Sequence, residues 1–81
     1  MKLPTDLNGV DLANKLRALG YETTRQTGSH RRLTRLGPAG QQHLTIPAHR
    51  PLRVGTLRAI LKGVCEQCGL ELSDLLHQLE L

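Results

Sequence analysis

A chain of 81 residues, 38% of them hydrophobic, with no Phe or Trp and a single Tyr, makes one small domain with an interior of aliphatic side chains. Such a domain buries only about 60% of the surface its unfolded chain exposes, so its stability is modest and a partner can add to it. The near absence of aromatic rings excludes single-strand recognition by base stacking, as RRM- and OB-type modules achieve it, while the net charge of +4 favours an anionic partner.

Met1-Lys2-Leu3-Pro4 opens the chain without the apolar run of a secretion signal. No apolar stretch approaches the roughly 18 residues that span a bilayer, so a cytoplasmic protein is expected. After Pro4-Thr5-Asp6, residues Val10, Ala13, Leu16 and Leu19 recur at helical spacing and Leu12 widens the stripe. This predicts a first helix capped by Asp6 or Asn8 and closed by Gly20, with Lys15 and Arg17 toward its C-terminal end, where cations are favoured.

From Tyr21 to Gln26 the sequence is rich in threonine and reads as extended. Thr27-Gly28 then reads as a tight hairpin turn, the glycine supplying the positive φ that such turns need. The return strand is expected over about Ser29 to Leu36. Alternation places Leu33 on one face with Arg31 and Arg35, and His30 on the other with Arg32 and Thr34. With Leu33 toward the helices, His30 points away from the core, unless a bulge beside the turn inverts the order.

Gly37-Pro38-Ala39-Gly40 marks a second turn, and Gln41 to Pro47 a third strand with Leu44 and Ile46 inward. The loop Ala48-His49-Arg50-Pro51-Leu52-Arg53 follows. A second helix starts near Val54, carries Leu57, Ile60, Leu61 and Val64 on one stripe, and stops at Gly69. Leu72, Leu75, Leu76 and Leu79 form a short last helix. The order α-β-β-β-α-α describes a single α+β domain over residues 1–81, a three-stranded antiparallel sheet with helices on one face.

Between Thr23 and Cys65 every charged side chain is basic: Arg25, Arg31, Arg32, Arg35, Arg50, Arg53, Arg58 and Lys62. Beyond them lie only Glu66, Glu71, Asp74 and Glu80. A basic middle beside an acidic tail is the footprint of phosphate binding, although a solvated basic face or a patch for an acidic protein gives the same pattern. Within this middle, Gly28 delivers His30 into a run of arginines. Histidine exchanges protons nearest to neutral pH, and forked guanidinium donors hold phosphates and offset developing charge. A lone solvated histidine at a strand end is the alternative.

His49 follows a proline-led loop as a second proton-transfer group, a phosphate donor or a solvated residue. His43 alternates with Leu44 and reads as a surface strand residue, and His77 in the acidic tail has no evident chemistry. Gly55-Thr56 opens a helix whose free N–H groups suit an anion or an ordinary cap. Cys65 and Cys68, three residues apart on one helix face, lack the further ligands of a zinc site and read as packing residues.

Four short motifs together resemble the HicA-type toxins, the YcfA-like family. They are Leu19-Gly20-Tyr21 at the exit of the first helix, Gly28-Ser29-His30, Ile46-Pro47-Ala48-His49, and the helix start from Gly55-Thr56-Leu57 to Ile60-Leu61-Lys62. The resemblance covers nearly the whole chain. It implies a dsRBD-like fold and a type II toxin that cleaves mRNA as an endoribonuclease, without metal or cofactor, held inactive by a HicB-type antitoxin. On this basis His30 is the expected catalytic residue, with Gly28, Ser29 and His49 in support, and Arg25, Arg31, Arg32, Arg35, Arg50, Arg53, Thr56 and Lys62 are the expected RNA contacts. The chain departs from the family pattern in a second helix about one turn longer, in Leu33 where an aromatic residue is common, and in Glu71 where a small cap is common. A non-catalytic RNA-binding module on the same fold, or an adaptor for an acidic protein, are the alternatives.

Overall fold

The computed structural model describes residues 3–4, 6–47 and 51–81, so His49 and Arg50 lie outside the described residues. Helix α1 (Gly9–Leu16) runs into a 3₁₀ turn at Arg17–Leu19. Three strands follow, β1 (Glu22–Thr27), β2 (His30–Gly37) and β3 (Gly40–Pro47), and then α2 (Val54–Cys68) and α3 (Leu72–Gln78). The sheet is antiparallel in the order β1-β2-β3, which is the expected α+β arrangement. Among the described residues no helix is long and apolar enough to cross a membrane.

The buried stripe of α1 is Gly9, Leu12, Ala13 and Leu16, whereas Val10 stays half-buried. The expectation that Val10 joins the core is therefore corrected. The regular helix ends at Leu16, and the tighter 3₁₀ winding brings Leu19 back only to the rim of the core. Leu12 and Leu16, one turn apart, thus define the inward face. Gly20, at φ 92°, closes the turn in the left-handed region. Asn8 is the cap residue, but only its backbone carbonyl serves, accepting from the Leu12 N–H at 3.0 Å.

Both hairpins turn in two residues. Thr27 pairs with His30 across Gly28-Ser29, and Gly37 pairs with Gly40 across Pro38-Ala39. Gly28 sits at φ 55° while Ser29 does not share the positive φ, the pattern of a type II′ turn with glycine first. The register of β2 with β3 runs without interruption from His30–Pro47 to Gly37–Gly40. The bulge that sequence alone leaves open lies instead in β1, between Thr23 and Arg25, away from the turn. Strand β2 therefore keeps its alternation.

Leu33 and Ile46 on the inner face are almost fully buried beneath the helices, with Leu57, Leu61 and Val64 of α2 completing the core. Tyr21, 0% exposed, enters this core just before β1 and donates its hydroxyl to Gln67 Oε1 at 2.6 Å. Gln67 Nε2 in turn donates to the His43 carbonyl at 2.8 Å, so the last turn of α2 is tied both to Tyr21 and to β3. Burial, together with the neighbouring Cys68, pushes the Tyr21 hydroxyl well above the usual tyrosine range, against a weaker opposing effect of Arg35. Cys65 and Cys68 are half-buried and pack against the core, and burial raises the Cys65 thiol.

Candidate active site on the open face of the sheet

The helices cover one face of the sheet and leave the other open. Alternation along β2 from the buried Leu33 sends His30, Arg32 and Thr34 to the open face. His30 is the first residue of β2, exposed and flanked by Thr27 on β1 and Pro47 on β3. Two residues on, Arg32 stands between Arg25 of β1 and Thr45 of β3. Arg25, Thr27, His30, Arg32 and Thr45 line a shallow depression of about 230 Å³.

Arg25 and Arg32 are directly opposed, an arrangement that costs stability between like charges. Among the described residues no acidic side chain lines the depression that they share with His30. An anion between or beside the two guanidinium groups would relieve this repulsion, because guanidinium groups fork onto anionic oxygens. Chemically, this corner offers one imidazole, two guanidinium groups and two threonines in a solvent-open setting. That combination suits a phosphodiester: donors for the charged oxygens and one group able to move a proton.

The family model described as "HicA toxin of bacterial toxin-antitoxin" matches residues 9–70. The chain belongs to the HicA toxin family. Comparison with curated proteins and with solved structures gives no significant match. The matched span begins at the first residue of α1 and ends just past α2, so it holds the whole sheet with its open face and leaves out only α3 among the described elements. The role this membership carries is that of toxin in a toxin-antitoxin pair.

The other residues singled out in this HicA toxin divide by location. Arg31 and Arg35 share the inner side with Leu33. Arg35 is held there: it donates to Gln42 Oε1 at 2.8 Å and to the Gln67 carbonyl at 3.1 Å, and its guanidinium lies 5.8 Å from the centre of the Tyr21 ring. Arg31 lines a separate depression with Asn14, Arg17, Glu22 and Thr23, and its buried Nε has no hydrogen-bond partner among the described residues. Lys62 belongs to the helical layer, where it lines a groove with Arg58, Cys65 and Leu72. Arg53 is the cap residue of α2, and its side chain makes no capping bond. Thr56 is half-buried in the first helical turn. The structure thus gathers Arg25 and Arg32 with His30 and separates Arg31, Arg35 and Lys62 from it. Ser29 is exposed in the turn, and the role of Gly28 is its φ of 55°, since a Cβ there would meet nothing within 4 Å.

Sequence reasoning put Thr34 on the outward face and read His43 as a surface strand residue but gave neither them nor Thr24 a role; the three form a continuous polar line across the open face. Thr24 Oγ1 and Thr34 Oγ1 are 2.7 Å apart, and Thr34 Oγ1 and His43 Nδ1 are 3.0 Å apart. The signal for half of this line is present in the sequence: a two-residue turn at Pro38-Ala39 fixes Thr34 opposite His43. Thr24 has no such signal, because only the bulge in β1 turns it to this side.

Proposed function

We propose that this toxin is an endoribonuclease that cleaves mRNA in the cytoplasm without a metal ion, with His30 as its proton-transfer residue. The observation that carries the reading is the exposed imidazole of His30 in one depression with the opposed Arg25 and Arg32. In such a cleavage the 2′-oxygen attacks the adjacent phosphorus and the P–O5′ bond breaks. One proton leaves the 2′-hydroxyl and one reaches the departing 5′-oxygen, and His30 serves one of these transfers. Arg25 and Arg32 bind the non-bridging oxygens and stabilise the charge that grows on them. Gly28 and Ser29 hold His30 at the rim of the sheet. Arg53 before α2 and Thr56 in its first turn add RNA contacts, and His49 and Arg50, which lie outside the described residues, are assigned to the same role. A HicB-type antitoxin silences the toxin by covering this open face.

The test compares purified wild type with His30→Ala on a labelled RNA. Removal of the proton-transfer group slows cleavage by about 10²–10⁴ and leaves RNA affinity nearly intact. One observation favours a second reading, a non-catalytic RNA-binding module: among the described residues that line its depression, His30 is the only one of a type that exchanges protons near neutral pH. Equal cleavage by wild type and His30→Ala would leave that module as the function.

A further inference from the structure

Beside the depression at His30 lies a second, of about 360 Å³, lined by Thr24, Arg25, Arg32, Thr34, Gln41 and His43. The two share Arg25 and Arg32, so they are halves of one track across the open face. We propose that this second half is a binding subsite for another phosphodiester of the same RNA strand, with His43 as its principal donor. The proposal rests on the RNA-cleaving reading above and adds a subsite to it.

The hydrogen bonds set the orientation of His43. Its Nδ1 lies 3.0 Å from Thr34 Oγ1, and Thr34 Oγ1 lies 2.7 Å from Thr24 Oγ1, which also reaches the Arg32 carbonyl in a long contact of 3.4 Å. A hydroxyl can donate or accept, so this line holds the ring whichever way its protons run. Nδ1 is engaged within the protein and Nε2 is left over for a ligand; when Nδ1 accepts from Thr34, the Nε2–H is the donor. A histidine fixed in this way presents a preset donor to an anionic oxygen, and less of its freedom is lost on binding.

The position of His43 excludes it as the partner of His30 in a single proton-transfer pair. His43 pairs with Thr34, four residues along β2 from His30 and one strand across, which is a separation of about 14 Å. Hydrogen bonds reach only about 3 Å, so one phosphate cannot touch both rings. The two histidines therefore attend different phosphates, with Arg25 and Arg32 between them. A phosphate is the group of RNA that fits best, because the lining offers guanidinium, hydroxyl, amide and imidazole groups, with no Phe, Tyr or Trp ring for a base and no carboxylate to repel the ligand among the described residues. The bulge completes the line: without its extra residue, Thr24 would face the core, and bulges recur beside sites where a side chain must be re-aimed.

The experiment measures affinity in the non-cleaving His30→Ala background for a single-stranded octanucleotide and for a dinucleotide too short to span both depressions. Adding His43→Ala is expected to weaken octanucleotide binding on the order of tenfold, the loss of one hydrogen bond to a charged group, and to leave dinucleotide binding unchanged. Thr34→Val, which keeps the shape and removes the hydroxyl, loses a smaller part of the same length-dependent affinity because the ring is no longer held. Equal losses for both lengths, or none for the octanucleotide, overturn the subsite. A wild type that binds the octanucleotide through His43 without cleaving it overturns the nuclease reading and leaves the subsite standing.

Discussion

The two faces of β2 carry nearly the same residue types to opposite ends. On the inner side Arg35 is bonded to Gln42 and to the end of α2 and lies against Tyr21, while on the outer side Arg32 opposes another arginine across an open depression. Arg31 and Arg32 are neighbours in sequence and point in opposite directions. The number of arginines in the strand therefore says little about which of them stand open to a ligand; their parity relative to Leu33 decides it. Arg35 works on the protein, and Arg32 stands open to a ligand.

The largest expected effect breaks this contrast at its pivot. Leu33 is 1% exposed at the centre of the sheet, and Leu33→Ala should cost about 2–5 kcal/mol of stability through lost burial and the cavity left behind. His30→Ala on the exposed face should stay within about 0.5 kcal/mol of wild type. Urea denaturation of both variants reads the difference, and a comparable loss in the two would mean that the faces are not energetically distinct.

The two arginines give a sharper, smaller test. Arg35→Ala removes two hydrogen bonds from a charged group and its contact with the Tyr21 ring, so it should destabilise the fold by about 1.5–3 kcal/mol. Arg32→Ala should leave stability unchanged or slightly raised, since it relieves the repulsion with Arg25. In RNA binding the order reverses: Arg32→Ala lowers the slope of log affinity against log salt by about one, whereas Arg35→Ala preserves it. Exchange of these two phenotypes would place the ligand on the helical side.

Much of this contrast is legible in the sequence, and for identifiable reasons. Glycines at two-residue turns fix the pairing of Thr27 with His30 and of Gly37 with Gly40, and with the pairing fixed, alternation from Leu33 settles the direction of His30. The stripe of α2 is equally plain, because Leu57, Ile60, Leu61 and Val64 repeat at helical spacing and all four are buried. What sequence does not yield depends on distant packing. The capture of Arg35 needs the last turn of α2 to arrive over Tyr21, and that turn belongs to the stretch read as an extension of the family pattern. The outward turn of Thr24 needs a bulge, which no residue between Thr23 and Arg25 announces. Val10 stays half-buried because the inward stripe centres on Leu12 and Leu16, and a residue two positions before Leu12 is turned about 200° from it around the helix.

The smallest effect at neutral pH tests how firmly the inner face is held. Tyr21→Phe removes the hydrogen bond to Gln67 and the weaker 3.8 Å contact with Cys68 Sγ, and should cost about 0.5–1.5 kcal/mol at pH 7. The difference depends on pH with a definite sign. Burial raises the folded-state value of the Tyr21 hydroxyl above its ordinary 10.0, so above pH 10 the unfolded chain releases a proton that the folded chain retains. The unfolded state then binds fewer protons, and stability falls as pH rises, with a limiting slope of about 1.4 kcal/mol per pH unit from this one group. The stability that Tyr21 contributes is thus complete below pH 10 and drains away above it. The Phe variant carries no such group, so the two stability curves should converge and cross on the alkaline side. Because the chain has a single tyrosine, its tyrosinate absorbance reports the same event directly. It should appear together with unfolding in the wild type, and a free titration near pH 10 in the folded protein would show that the inner face is open to water at Tyr21.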